Sequence, residues 1–158
     1  HLLAENGVDV LVIETQFDLI EARAALRGVR FATDLPVVVS FSYDRGTRTM
    51  MGVKPAQMVQ VFAEMGVAAV GINCGRSVDE NLKVLQEVRA LTDLPVWFKP
   101  NAGLPLTNTD GSLFYSVTPE LMGEQARSWL AAGANLVGGC CGTSPSHLGA
   151  IAQVVKGQ

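Results

Sequence analysis

The chain has 158 residues, 48% hydrophobic and 17% charged, with a formal net charge of -3. That composition suits one ordinary globular core, and the scattered Lys and Arg offer no basic stripe to a nucleic-acid backbone. Apolar runs far shorter than the roughly 18 to 20 residues of a membrane helix argue against a membrane span, and the absence of a basic-then-apolar leader points to a cytoplasmic protein.

In chain order, "HLLAENG" reads as the tail of a helix, and "GVDVLVIET" after it as a strand ending at Glu14. A second strand, "DLPVVVSFS", ends at Ser40 and Ser42, and a polar loop with Asp44, Arg45 and Arg48 follows as a solvated border. "PAQMVQVFAEMG" then has helical spacing, with Met58, Val61, Phe62 and Met65 on one stripe. The third strand, "GVAAVGINC", ends at Asn73 and Cys74; the helix "SVDENLKVLQEVRAL" after it presents Leu82, Leu85, Val88 and Leu91, and Ser77 with Glu80 forms a capping box. "DLPVWFKPN" is the fourth strand, ending at Lys99 and Asn101, and the turn-rich stretch "PNAGLPLTNTDGSLFYSV" reads as a long irregular functional loop. Thr118-Pro119 starts a helix, "GANLVGGCC" is the fifth strand ending at Cys140 and Cys141, and Ser144-Pro145 starts the last helix, with His147 on the surface of its first turn.

The five strand-like runs recur roughly 27 to 40 residues apart, near the ~30 residues of a strand, crossover helix and return strand. Their near-continuous Val, Ile and Leu content suits a parallel sheet buried on both faces. Two architectures contain such units, an open doubly wound sheet and a (β/α) barrel. No G-x-G-x-x-G follows the first strand, and every strand ends in polar or reactive residues, which a barrel would gather around one mouth. The expected fold is therefore α/β, about five β/α units of an eight-unit parallel TIM-type barrel, with residues 1–158 as its C-terminal part and about three N-terminal units missing.

Three cysteines, an odd count with two adjacent, suit metal or catalytic work in a reducing compartment better than a disulfide framework. A single cysteine such as Cys74 has a plain alternative as a small buried hydrophobe. At strand ends of one barrel, however, Cys74, Cys140 and Cys141 would face the same mouth. Three thiolates suit a tetrahedral zinc with one open position, and soft sulfur favours Zn over Mg or Ca. Gly138, Gly139 and Gly142 would let the backbone bend so that adjacent side chains converge on one ion. A thiol taking the open position would lose its proton, so the site makes a sulfur nucleophile.

"GANLVGGCCGTSPSHLGAI", together with "GVAAVGINC", resembles the homocysteine S-methyltransferase family, the zinc barrel of cobalamin-dependent methionine synthase and of the betaine and S-methylmethionine enzymes. The resemblance implies zinc on Cys74, Cys140 and Cys141 as the catalytic set, and methyl transfer to homocysteine giving methionine. It also implies that Glu14 holds the substrate amino group, with Asn73 and Gly139 as further substrate contacts. The partners it implies are homocysteine and a methyl donor or methyl-carrying domain; cobalamin or folate would enter only through modules outside this chain. "SYDRGTRTMMG" resembles the methionine synthase type more than the betaine type. The family's first strand, with its Asp-Gly motif, has no counterpart here, so the fragment alone is expected to be inactive.

Three rival readings stand beside this one. Lys99 at a barrel strand end suits a Schiff-base lyase, or else a plain charge partner in the mouth, with Glu14 as its counter-ion. The glycine-rich turn before Ser144 suits a phosphate at a helix N-terminus. A noncatalytic zinc-stapled interaction module would use the same thiols without a substrate.

Overall fold

The computed structural model describes residues 1–157. Strands β1 (Leu11–Gln16), β2 (Val37–Phe41), β3 (Ala69–Cys74) and β4 (Val96–Pro100) are followed by a short ribbon, β5 (Pro105–Thr107) and β6 (Leu113–Tyr115), and then by β7 (Leu136–Val137). The helices are α1 (Leu2–Glu5), α2 (Leu19–Ala32), α3 (Pro55–Glu64), α4 (Val78–Leu91), α5 (Pro119–Ala131) and α6 (Pro145–Lys156). One sheet runs β1-β2-β3-β4-β7, every pair parallel. A doubly wound sheet would reverse its strand order at a switch point. This order never reverses, so the sheet is an arc of a (β/α) barrel, part of the closed form.

The two faces of the arc separate by the period of the strand. Val37, Val39 and Phe41 of β2, Val70 and Ile72 of β3, and Val96 and Phe98 of β4 lie in the hydrophobic core with Leu26, Phe62, Leu85 and Trp129 of the helices. Phe41 meets Phe62 at 5.6 Å between ring centroids, and Phe98 meets Trp129 edge-on at 5.3 Å. Each such side chain contributes about 1.5–3 kcal/mol by leaving water. The alternate residues Ser40, Gly71, Asn73, Trp97 and Lys99 point to the concave face. Gly71 is required there, because a Cβ would press on Ser40 on one side and Trp97 on the other.

Side-chain caps fix where helices begin, and so where the loops at the strand ends finish. Asp18 accepts from the backbone N–H of Ile20 and Glu21, Ser77 from Glu80, and Thr118 from Leu121. Ser77 supplies the hydroxyl half of the expected box.

The structure corrects several expectations. Leu91 is 46% exposed, since α4 meets the sheet through Val78, Val84, Leu85 and Val88 and its last turn runs past it. Residues 100–117 are not irregular throughout: β5 and β6 pair antiparallel, with Leu106 opposite Phe114, and the turn is closed by Asn108 N–H to Ser112 O at 2.8 Å. The fifth strand stops at Val137, three residues before the cysteine pair. His147 is buried, and its ring bridges the backbone N–H of Ser144 at 3.0 Å and the carbonyl of Val117 at 2.9 Å.

Candidate metal centre

β3 delivers Cys74 with an abrupt change of backbone. Cys74 and Gly75 are both left-handed, at φ of 57° and 79°. A regular strand would turn Cys74 away from Asn73; the αL turn re-aims it. The conformation is disfavoured for a residue with a Cβ and is held from four sides. Asn81 Nδ2 donates to Cys74 O at 2.6 Å, Gly75 N–H donates to Ser42 Oγ at 3.3 Å, Asn101 Nδ2 donates to Gly75 O at 2.9 Å, and Asn101 N–H reaches Cys74 O at 3.3 Å.

The pair Cys140-Cys141 sits in the loop after β7 yet remains pinned to β4. Cys140 N–H donates to Pro100 O at 2.9 Å, Cys141 N–H donates to Asn101 Oδ1 at 2.9 Å, and Cys141 O accepts from Ala102 N–H at 2.9 Å. Of the three glycines around the pair, only Gly142 has a positive φ, 77°. Gly138 and Gly139 serve by their lack of volume: a Cβ at 138 would crowd the Lys99 stem, and one at 139 would collide with Thr143. Gly142 also leaves room for the Tyr115 ring, so the ribbon β5–β6 packs onto the thiol loop.

The result is that all three sulfurs lie within 4.8 Å of one another, with Cys74 Sγ and Cys140 Sγ 3.1 Å apart. This is the only group of metal-ligand side chains of that kind among the described residues. Tetrahedral zinc, with Zn–S near 2.3 Å, needs ligand sulfurs about 3.8 Å apart. Small side-chain rotations reach that spacing, so the three cysteines fit a metal ion.

Asn73 lies beneath the sulfurs and is fully buried. Its Oδ1 accepts from Ser40 Oγ at 2.6 Å and from Thr15 N–H at 3.1 Å; its Nδ2 donates to Thr15 Oγ1 at 2.6 Å, to Cys74 Sγ at 3.3 Å and weakly to Cys140 Sγ at 3.9 Å. Both ends of its amide are engaged within the protein, and its side chain is fully buried. Gly139 lines a concave cavity beside Lys99.

These contacts divide the thiols electrostatically. The hydrogen bond between the Cys74 and Cys140 sulfurs, with the Asn73 amide, lowers Cys140 to about 5 despite partial burial. The same hydrogen bond, then burial, pushes Cys74 far above the ordinary thiol range, and burial with the nearby Cys140 charge raises Cys141. Without metal the cluster carries one thiolate at neutral pH, and a cation would remove the reason for the other two to stay protonated.

Glu14 and Lys99 meet across the concave face, Nζ to Oε1 at 3.0 Å, with side chains 36% and 28% exposed. Glu14 is thus less buried than its apolar strand implied, and its counter-ion is Lys99. Asp44 accepts from Ser42 Oγ at 3.0 Å, while Arg45 and Arg48 pair as a local bridge in the exposed loop. Sequence reasoning passed over Thr15, a β-branched residue at φ 60°. It also saw Ser40 and Asn101 only as strand-end polar residues, and no spacing in one sequence marks their role as supports.

An arc of a (β/α) barrel with three converging thiols in its mouth defines a barrel-type protein whose cysteines could together hold a metal ion. The family profile described as Homocysteine S-methyltransferase matches residues 1–155, and the chain belongs to that family. Among solved structures it is similar to the homocysteine methyltransferase MmuM from Escherichia coli. The apo form shares 27% identity at a TM-score of 0.77, over 96% of this chain and 51% of that one. The metallated form shares 28% identity at 0.77, over 94% and 46%, and the oxidized form 27% at 0.77, over 96% and 47%. This chain therefore spans about half the length of those relatives. No helix among the described residues is long and apolar enough to cross a membrane.

Proposed function

We propose that residues 1–158 form the C-terminal part of a homocysteine-binding barrel domain that transfers a methyl group to homocysteine, giving methionine, with zinc held by Cys74, Cys140 and Cys141. The observation that carries this reading is the convergence of three sulfurs within 4.8 Å at the mouth of the arc. The all-sulfur donor set favours zinc over hard cations. Zinc bound there would supply a Lewis acid that favours the thiolate form of the substrate sulfur.

The chain's own residues perform the rest. Asn73, Thr15 and Asn101 fix the directions of the thiols before a metal arrives, as outer partners of a metal site do. Glu14, on the same concave face, offers a carboxylate to the substrate ammonium group. In the overall reaction the substrate sulfur loses its proton, forms the S–CH₃ bond, and the methyl–donor bond breaks with its electron pair leaving on the donor. The donor is a separate molecule or methyl-carrying domain, and cobalamin or folate chemistry would reside outside these residues.

Membership of a methyltransferase family gives the Schiff-base reading of Lys99 no support, and its ammonium lies against the Glu14 carboxylate rather than free. The reading is tested by assaying methyl transfer to homocysteine from several donors, with zinc and after chelation, using the protein with its N-terminal barrel units present and this chain alone. Zinc-dependent methionine formation by the former and little by the latter is expected. Turnover unaffected by chelation, or borohydride trapping of a carbonyl substrate on Lys99, would overturn it. A noncatalytic module would bind zinc and ignore homocysteine.

A further inference from the structure

We infer that His147 is a positioning residue for the metal centre: its imidazole ties the loop that carries Cys140 and Cys141 to the segment leaving β6. The inference rests on the metal part of the reading above and involves neither the substrate nor the methyl donor. The loop itself is a tight turn, in which Thr143 N–H and Thr143 Oγ1 both donate to Cys140 O, at 3.2 and 2.7 Å. Its leading end is fixed to the exit of β4 through Pro100 and Asn101. Its trailing end is fixed by His147. Ser144 N–H donates to His147 Nδ1 at 3.0 Å, and the Ser144 hydroxyl lies 2.8 Å from the same nitrogen. A backbone N–H can only donate, so Nδ1 is the bare nitrogen and the neutral ring carries its proton on Nε2. That proton faces Val117 O, 2.9 Å from Nε2.

These contacts close a ring of hydrogen bonds. Ala102 N–H donates to Cys141 O at 2.9 Å, and Val117 N–H donates to Ala102 O at 3.1 Å. Val117 O then accepts from His147, and His147 accepts from Ser144, three residues after Cys141. Every link but the imidazole is backbone, so the circuit depends on one side chain. Ala102 is fully buried and His147 is 8% exposed, which leaves water little access to bridge a broken link. The segment that ends at Val117 also presses on the loop from outside, since the Tyr115 ring fills the space that a Cβ at Gly142 would need.

The residue type carries the argument further. Three residues after a capping serine, Glu or Gln ordinarily accepts the cap N–H. A histidine there does the same with one nitrogen and holds the second rigidly on the far side of the ring, where Val117 needs a donor. Cutting this tie frees one end of the turn, so the Cys140 and Cys141 sulfurs lose their fixed directions and a metal must reorder them.

The test uses two amides. His147→Asn keeps an acceptor at the place of Nδ1 and has no atom that reaches Val117, whereas the longer His147→Gln carries an acceptor and a donor. The protein with its N-terminal barrel units present is stripped of metal, then titrated with zinc against a chelator and with cobalt(II), whose absorption reports the geometry of its sulfur ligands. His147→Asn is expected to weaken zinc binding about tenfold, the lower end for outer partners of a metal site, and to alter the cobalt spectrum. His147→Gln should recover both. Val88→Ala, which opens a cavity in the core near the far end of α4, should lower the melting temperature and leave metal affinity and spectrum as in wild type. Nitrogen NMR of the unaltered protein should find the ring proton on Nε2. A proton on Nδ1, wild-type metal binding by His147→Asn, no recovery in His147→Gln, or an equal loss in Val88→Ala would overturn the inference and leave the zinc reading intact. Failure of the wild-type protein to bind either metal would overturn both.

Discussion

Thr15 and Asn73, 58 residues apart in the chain, are joined by two hydrogen bonds, Thr15 N–H to Asn73 Oδ1 at 3.1 Å and Asn73 Nδ2 to Thr15 Oγ1 at 2.6 Å. Thr15 is left-handed at φ 60°, as is Cys74 on the other side of Asn73 at φ 57°. One buried amide therefore ties together the only two non-glycine residues with positive φ among the described residues, at the ends of β1 and β3. Both strained conformations stand where the site is built, and the amide between them is the outer support of the thiols.

Asn73→Ala removes that support and strands the Thr15 N–H and the Ser40 hydroxyl without their acceptor. A loss of about 2–3 kcal/mol in stability is expected, measured by denaturant unfolding. Zinc affinity should fall by about ten- to a hundredfold in competition with a chelator, as for other outer-shell partners. Wild-type zinc affinity in a folded Asn73→Ala protein would show that the thiols need no such backing.

The pH dependence follows from the divided thiols. Cys140 is lowered to about 5, whereas Cys74 and Cys141 are raised. At pH 7 the metal-free cluster thus holds one thiolate and two thiols, and zinc binding should release about two protons. Affinity should rise with pH, about a hundredfold per unit between pH 5 and 7. Below pH 5 a third proton must also leave, and the dependence steepens. Calorimetry in buffers of different ionisation enthalpy counts these protons; zero released at pH 7 would contradict the arrangement.

Two glycine substitutions should act in opposite directions. Gly75→Ala places a Cβ at φ 79° and against the Asn81 amide that holds the Cys74 carbonyl. It should lower stability by roughly 1–3 kcal/mol and weaken zinc binding. Gly149→Ala, inside α6 with nothing near its Cβ, should raise stability by about 0.5–1 kcal/mol and leave zinc untouched. Thermal melts and zinc titrations of the two variants check both signs.

Much of the fold was legible because the central strands β2 and β3 are buried on both faces: "PVVVSF" and "AAVGIN" are apolar without alternation, as a central parallel strand is. The thiol site was legible because Cys74 and the Cys140-Cys141 pair follow strand-like runs, which a barrel gathers at one end. What escaped depends on partners remote in sequence. His147 reads as a surface residue in a first helical turn, and its burial is set by the Val117 carbonyl, 30 residues earlier. The ribbon β5–β6 leaves Leu106, Leu113 and Phe114 exposed, so no apolar alternation toward a core marks it. The left-handed turn at Cys74 is invisible in a residue that ordinarily avoids it, and only "CG" hints that the strand ends there.

The central claim is that three thiols hold one zinc and leave one position for the substrate sulfur. X-ray absorption at the zinc edge counts those sulfurs directly. The account predicts about one zinc per chain with three sulfur neighbours, rising to four when homocysteine is added, and severe loss of zinc in each of Cys74→Ser, Cys140→Ser and Cys141→Ser. A sulfur count that saturating homocysteine leaves unchanged, or zinc retained at wild-type affinity by all three variants, would contradict it.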